Sequence, residues 1–193
     1  RSLLEEAGWL DRDGDGIRED AEGNPLQIDL IYNQNLERER VAEIIRVQLQ
    51  DIGVELLPSM LDLVTYGERI QGGDRNFEGA LVTFETGFRI DDRDLFHSDV
   101  REVAGSWAFS GTQDPVLDRY LDTLQLIPDR NDAYPLWQEY QQRLMAVQPY
   151  TFLYSADRRI GVGPRLRDVV TDTRGDWATI RQWWIAPEDR ERD

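Results

Sequence analysis

Leu26, Ile28 and Leu30 alternate with Gln27 and Asp29, and this period-two run constrains the fold more than any other stretch. Apolar residues at every second position build one face of a β-strand. A helical pattern follows directly. Asn35 can cap it, Val41, Ile45, Leu49 and Ile52 form its apolar stripe, and Gly53 stands where a left-handed residue ends a helix. Val54, Leu56 and Leu57 then read as a second strand, ending at Pro58. Strand, helix and strand with short joints make a βαβ unit, whose strands pair in parallel with a right-handed crossover. The expected class is α/β, a mixed but mostly parallel sheet flanked by helices, in one domain over residues 1–193.

The same periodicities extend the pattern. Leu3, Leu4, Ala7 and Leu10 predict a short helix from Ser2 to about Ala7, stopped at Gly8. Asp62 can cap a helix through Leu63, Val64 and Ile70 that Gly72 and Gly73 end. Phe77–Phe84 reads as a third, buried strand. Asp114 and Pro115 open a helix striped by Leu117, Leu121 and Leu124. A longer one from about Asn131 to Gln148 carries Ala133, Trp137, Tyr140, Leu144 and Val147. Tyr150–Tyr154 reads as a strand, and Trp183, Trp184 and Ile185 as core anchors or as cover for a neighbouring lobe.

Between the first helix and first strand lies WLDRDGDGIREDAEGNP, residues 9–25. Asp11, Asp13 and Asp15 alternate, Gly16 follows, and Glu22 holds the twelfth position, which satisfies the calcium-loop pattern. Short carboxylates at alternate positions converge on a hard cation, the carbonyl of Ile17 can join them, and Glu22 can close the shell. The strand at Leu26 excludes an EF-hand, which needs a helix there. Two readings stay open: a structural calcium site, and a solvated Asp/Gly turn joining helix to strand.

Residues 85–115 lack a clean period. A segment of this length that starts where a sheet strand ends sits where open α/β sheets place ligands. It carries Asp91, Asp92, Asp94 and Asp99 beside Phe88, Phe96, Trp107 and Phe109. Carboxylates among aromatic rings suit capture of a cation such as an amine. The alternative is that the acids face water while the rings fill the underside of the loop.

Composition excludes several classes. There are 38 acidic residues against 22 basic ones, a net charge of −16, and every base is arginine. That sign disfavours nucleic acid and acidic lipid, which need clustered cations. It equally fits the charged surface of a salt- or heat-adapted protein. With no cysteine and His97 as the single histidine, zinc catalysis and Cys–His or Ser–His machinery lack parts. His97 is expected at the surface. Gly161-Val162-Gly163-Pro164 is not a dinucleotide fingerprint, and no phosphate-loop motif is present. An enzyme is not expected, and no cofactor is required beyond the candidate calcium.

The ordered series LLEEAGWLDRDGDGIRED, GNPLQIDLIYN, RERVAEIIRVQLQDIGVEL, FEGALVTF with DLFHS, DPVLDRYL, YPLWQEYQQRLMAVQPYTFLYS and the closing WW resembles a known family. It is similar to the C-terminal part of the extracytoplasmic solute-binding proteins of peptide- and nickel-type ABC importers. The resemblance implies a periplasmic-binding-protein type II lobe, with an N-terminal portion lying outside this chain. It further implies capture of an oligopeptide, dipeptide or other small solute between two lobes and delivery to permease subunits. By the same resemblance the protein is monomeric, periplasmic or extracellular and membrane-associated. Relatives place an aspartate after the third strand against the peptide amine. Here that region reads Ile90-Asp91-Asp92-Arg93-Asp94, so Asp92, then Asp91 and Asp94, with Phe88, are the implied ligand residues, and Trp107 is implied to line the pocket.

Overall fold

The computed structural model describes residues 1–72, 75–84, 92–103, 105–157, 159–171, 175 and 179–190. The sequence reads as one span, whereas contacts divide the chain into two compact units. One comprises Arg1–Thr83 with Asp99–Phe109, the other Phe84–Ser98 with Ser110–Asp193.

The first unit is built on the βαβ pattern. Helix α1 (Ser2–Glu6) gives way at Gly8, and strand β1 spans Gln27–Asn33. Helix α2 (Leu36–Gln50) starts under the Asn35 side chain, which accepts the N–H groups of Glu37 and Arg38. Strand β2 (Glu55–Leu61) lies parallel to β1 in the register Gln27↔Glu55 to Asn33↔Leu61. Helix α3 (Leu63–Gln71) is capped by Asp62, and strand β3 (Gly79–Ala80) pairs in parallel with the other side of β1. The sheet order is therefore β2-β1-β3. Leu30, Tyr32, Ala42, Leu56 and Leu81 form its buried cluster, with Ile28, Val41, Ile45 and Leu49 packed around it. This is the α2 stripe seated on one face of the sheet.

Two strand expectations are corrected here. β2 runs through Pro58 instead of ending there, because it is an edge strand, and an edge leaves one row of backbone amides without ladder partners for proline to remove. β3 is shorter than the apolar run Phe77–Phe84 suggested: two residues are in the ladder, and the Leu81 N–H adds one bond to the Ile31 carbonyl at 3.0 Å.

The second unit is a helical layer. Helix α4 (Arg93–Phe96) arises inside the stretch that the sequence left without a period. Helix α5 (Pro115–Leu124) starts with proline in its first turn and buries Leu117, Leu121 and Leu124. Helix α6 (Arg130–Val147) buries Ala133, Tyr140 and Leu144, and ends at Gln148, which adopts the left-handed conformation at φ 52°. These residues and Phe96 form one core, the α4 ring tucked beneath α5 and α6. Strands β4 (Leu166–Arg167) and β5 (Trp184–Ile185) close a small antiparallel ladder. The strand expected at Tyr150–Tyr154 is not formed: Thr151–Asp157 has no regular structure, joins no ladder among the described residues and is exposed. Among the described residues no helix is long and apolar enough to cross a membrane.

Candidate functional site

Asp92 sits at the foot of α4. Its carbonyl oxygen accepts the N–H groups of Leu95 and Phe96, each at 3.1 Å. Its carboxylate Oδ2 accepts the Tyr140 hydroxyl at 2.9 Å. Tyr140 is 1% exposed, so the α6 core reaches out to hold this carboxylate. Burial, and then the negative charge of Asp92, push the Tyr140 hydroxyl well above the ordinary tyrosine range, and the phenol stays a donor. Asp94, in the first turn of α4, is exposed. The structure therefore brings Asp92 and Asp94 to one short helix, the first held by the core and the second facing solvent. Asp91 and Phe88 lie outside the described residues.

His97 overturns its expected surface position. It is 8% exposed, with Nε2 3.4 Å from Asp122 Oδ1 and Nδ1 3.9 Å from Asp118 Oδ1. Asp118 also accepts the Ser98 N–H at 2.9 Å, and Arg93 pairs with Asp122. The cause is the packing of α4 on α5: seating Phe96 in the core carries the next residue under the Asp118–Asp122 face. Sequence reasoning missed this cluster because the two acids lie about twenty residues from the histidine in the chain.

Trp107 belongs to the first unit. It is half exposed, and its ring lies 5.6 Å from that of buried Phe109 at an interplanar angle of 57°. Arg75 holds the segment from below, donating to the Ala108 carbonyl at 2.7 Å and the Ser106 hydroxyl at 3.0 Å. Arg75 takes a positive φ of 38° to do so, a conformation costly for a side chain with a Cβ. Nothing in its sequence context marks it.

The acidic loop is closed by backbone hydrogen bonds. Asp11 accepts the N–H groups of Gly14 at 2.8 Å and Gly16 at 3.2 Å. Asp13 accepts from Asp15 at 3.1 Å, and Asp15 from Ile17 at 2.8 Å. The chain then doubles back, with Glu19 bridging to Leu10. This reversal turns Glu19, and not Glu22, toward the aspartates: carboxylate oxygens of Asp11, Asp13, Asp15 and Glu19 lie within 4.8 Å of one another. The Glu22 N–H donates instead to Asp20 at 2.9 Å, in a separate turn that also holds Asn24. Hydrogen bonds from the Asn24 side chain and backbone, in that order, lower the Asp20 pKa. Arg18 fastens the loop to the turn after α2 and to the end of α1, donating to the carbonyls of Ile52 and Trp9 at 2.8 Å each and to Glu5 at 3.1 Å.

Chemically, the core-held Asp92 carboxylate with exposed Asp94 beside it suits binding of a cation, and in the other unit the half-exposed Trp107 ring offers aromatic surface of its own.

No protein-family profile matches the chain. The oligopeptide-binding protein AppA of Bacillus subtilis is 26% identical over 187 residues, which cover 96% of this chain and 34% of AppA. The solved structure of that protein in complex with a nonapeptide superposes with a TM-score of 0.81 at 25% identity, covering 96% of this chain and 36% of that one. NikZ of Campylobacter jejuni in complex with Ni(L-His) shares the fold at a TM-score of 0.73 and 16% identity, over 94% of this chain and 37% of that one. A Thermotoga maritima oligopeptide-binding protein with bound mannohexaose does so at 0.68 and 23%, over 77% of this chain and 28% of that one. The chain thus spans about a third of the length of the relatives it matches most fully. With its α/β fold, the chain is similar in sequence and structure to about a third of the oligopeptide-binding protein AppA.

Proposed function

We propose that this chain is the C-terminal lobe of an extracytoplasmic solute-binding protein that captures a peptide or similar small solute between two lobes and passes it to ABC permease subunits. The observation that carries this reading is likeness to AppA in both sequence and fold over 96% of the chain. Hinge closure would bury the solute. In this reading Asp92 and Asp94 at the start of α4 neutralise a cationic end, and Asp91 and Phe88, which precede them in sequence, and Trp107 of the other unit are further candidates for solute contact. The work is binding, with no bond made or broken.

Calorimetry with oligopeptide pools tests this. One lobe holds only part of the contacts, so the 193-residue chain alone should show no complex tighter than about 1 μM. A two-lobed protein carrying this lobe should bind, and Asp92→Asn or Asp94→Asn should weaken binding about tenfold. A micromolar or tighter complex with the isolated chain counts against the two-lobe clamp.

The acidic loop enters this reading as a structural joint between α1 and β1. A calcium titration decides whether it also holds an ion. Heat that vanishes in Asp13→Ala with Asp15→Ala, together with a raised melting temperature, establishes a structural site. No heat and no shift retire it.

A further inference from the structure

Asp92 stands at the N-cap position of α4 and does not cap it. The comparable residues do. Asn35, Asp62, Asp114 and Asp129 each turn a side-chain oxygen back onto amides of the helix that follows, the use for which short polar side chains are favoured there. Asp92 makes no such bond, and its Oδ2 accepts the Tyr140 hydroxyl at 2.9 Å instead. A carboxylate diverted from its local use gives up helix stability, a loss that functional sites commonly carry.

The donor is built to hold one geometry. Tyr140 is 1% exposed, packed in the core with Leu117, Leu121 and Leu144. The Trp137 ring meets it edge-on, at 5.3 Å between centroids and an interplanar angle of 83°. From the other side, buried Phe96 anchors α4, and Arg93 pairs with Asp122 of α5. The α4 backbone and the phenol are thus both fixed, and the half-buried Asp92 carboxylate is held between them. The kind of donor matters as much. An arginine or lysine in this place would neutralise the carboxylate, whereas a phenol orients it and leaves its negative charge in full. Burial first, and then the charge of Asp92, keep that phenol protonated.

We propose that Tyr140 is a positioning residue of the solute site, turning the Asp92 carboxylate off the α4 amides and holding it ready for an ammonium group of the solute. The inference rests on the reading of Asp92 as a solute residue and adds what orients it. Preorganisation of this kind raises affinity without any contact between Tyr140 and the ligand.

Calorimetry on a two-lobed protein carrying this lobe tests it. The probes are nonapeptide pools free of lysine, arginine and histidine, one with free amino termini and one N-acetylated. The wild type should bind the free-amine pool about tenfold tighter than the acetylated one. Tyr140→Phe keeps the ring in the core, so the fold holds and the melting temperature drops by a few degrees. In that variant the preference for the free amine should fall about fivefold, with affinity for the acetylated pool unchanged. Asp92→Asn should abolish the preference, and adding Tyr140→Phe to it should change nothing further, as for a group that acts through another. A merely structural role would move both affinities alike. An equal fall for both pools therefore overturns the proposal, as does a preference that Asp92→Asn removes and Tyr140→Phe leaves intact. A wild type that binds neither pool or shows no preference, or an Asp92→Asn variant that keeps it, overturns the reading of Asp92 and the proposal with it.

Discussion

One carboxylate joins two helices: Asp114 Oδ1 accepts the Val116 and Leu117 N–H groups at 2.9 Å each, while its Oδ2 accepts Arg143 Nε of α6 at 3.2 Å. Asp114 is 7% exposed while the Arg143 side chain is 41% exposed, so a sheltered carboxylate meets a guanidinium that still reaches water. The Arg143 guanidinium first, and the two backbone donors after it, hold its carboxyl below the ordinary aspartate range.

Replacing Asp114 by alanine should cost about 1–2 kcal/mol, as for other lost N-caps, measured by urea unfolding. Because the folded pKa lies below the unfolded value of about 3.9, the stabilisation is present above that pH. It is lost as the pH falls through the folded value. Asp114→Asn should keep part of the cap and flatten the acid limb of the stability profile.

Arg18 and Gly53 form the second joint. The Gly53 φ of 86° is a left-handed conformation, and a Cβ built there would lie 2.7 Å from Arg18 Cγ. Gly53→Ala should therefore cost more than the roughly 1 kcal/mol usual for glycine at positive φ. Arg18→Met should cost about 2 kcal/mol by stranding the Ile52 and Trp9 carbonyls. Arg18→Lys should recover little of that, because an ammonium cannot reach the same set of acceptors as the planar fork. Thermal unfolding of the three variants checks the order.

Tyr140→Phe should cost about 1 kcal/mol by removing the donor to Asp92. Burial raises the pKa of Tyr140, Tyr66 and Tyr32 alike, reinforced by Asp92 at Tyr140 and by Glu39 and Glu43 at Tyr32. A raised folded pKa contributes stability that is complete below the unfolded value near 10 and is lost as the pH rises beyond it. Unfolding followed between about pH 8 and 11 should show that loss, and it should be smaller in Tyr140→Phe.

Self-repulsion from a net charge of −16 opposes compaction, and salt screens it. The melting temperature should rise by several degrees between about 0.05 and 1 M sodium chloride. A flat or falling curve would show that local ion pairs, such as Arg46 with Glu43, outweigh the global field.

Local chemistry was legible in the chain. The caps Asn35, Asp62 and Asp114 act on amides two or three residues away, and the α2, α5 and α6 stripes need only a period of 3.6. The parallel βαβ unit follows from the same patterns, since short joints leave little choice of crossover. Asp92 was marked by its position in an acidic run, while its partner Tyr140 was not, because 48 residues separate them.

What the sequence by itself determined is the helices α1, α2, α3, α5 and α6, the caps Asn35, Asp62 and Asp114, and the parallel pairing of β1 with β2, all carried by interactions over a few residues or one crossover. The tertiary structure alone decided four other matters. They are the passage of β2 through Pro58, the burial of His97 against α5, the turning of Glu19 into the acidic loop, and the meeting of Tyr140 with Asp92. Each depends on what stands beside a residue in space: an open sheet edge, a helix face, a chain reversal, or a side chain 48 residues away.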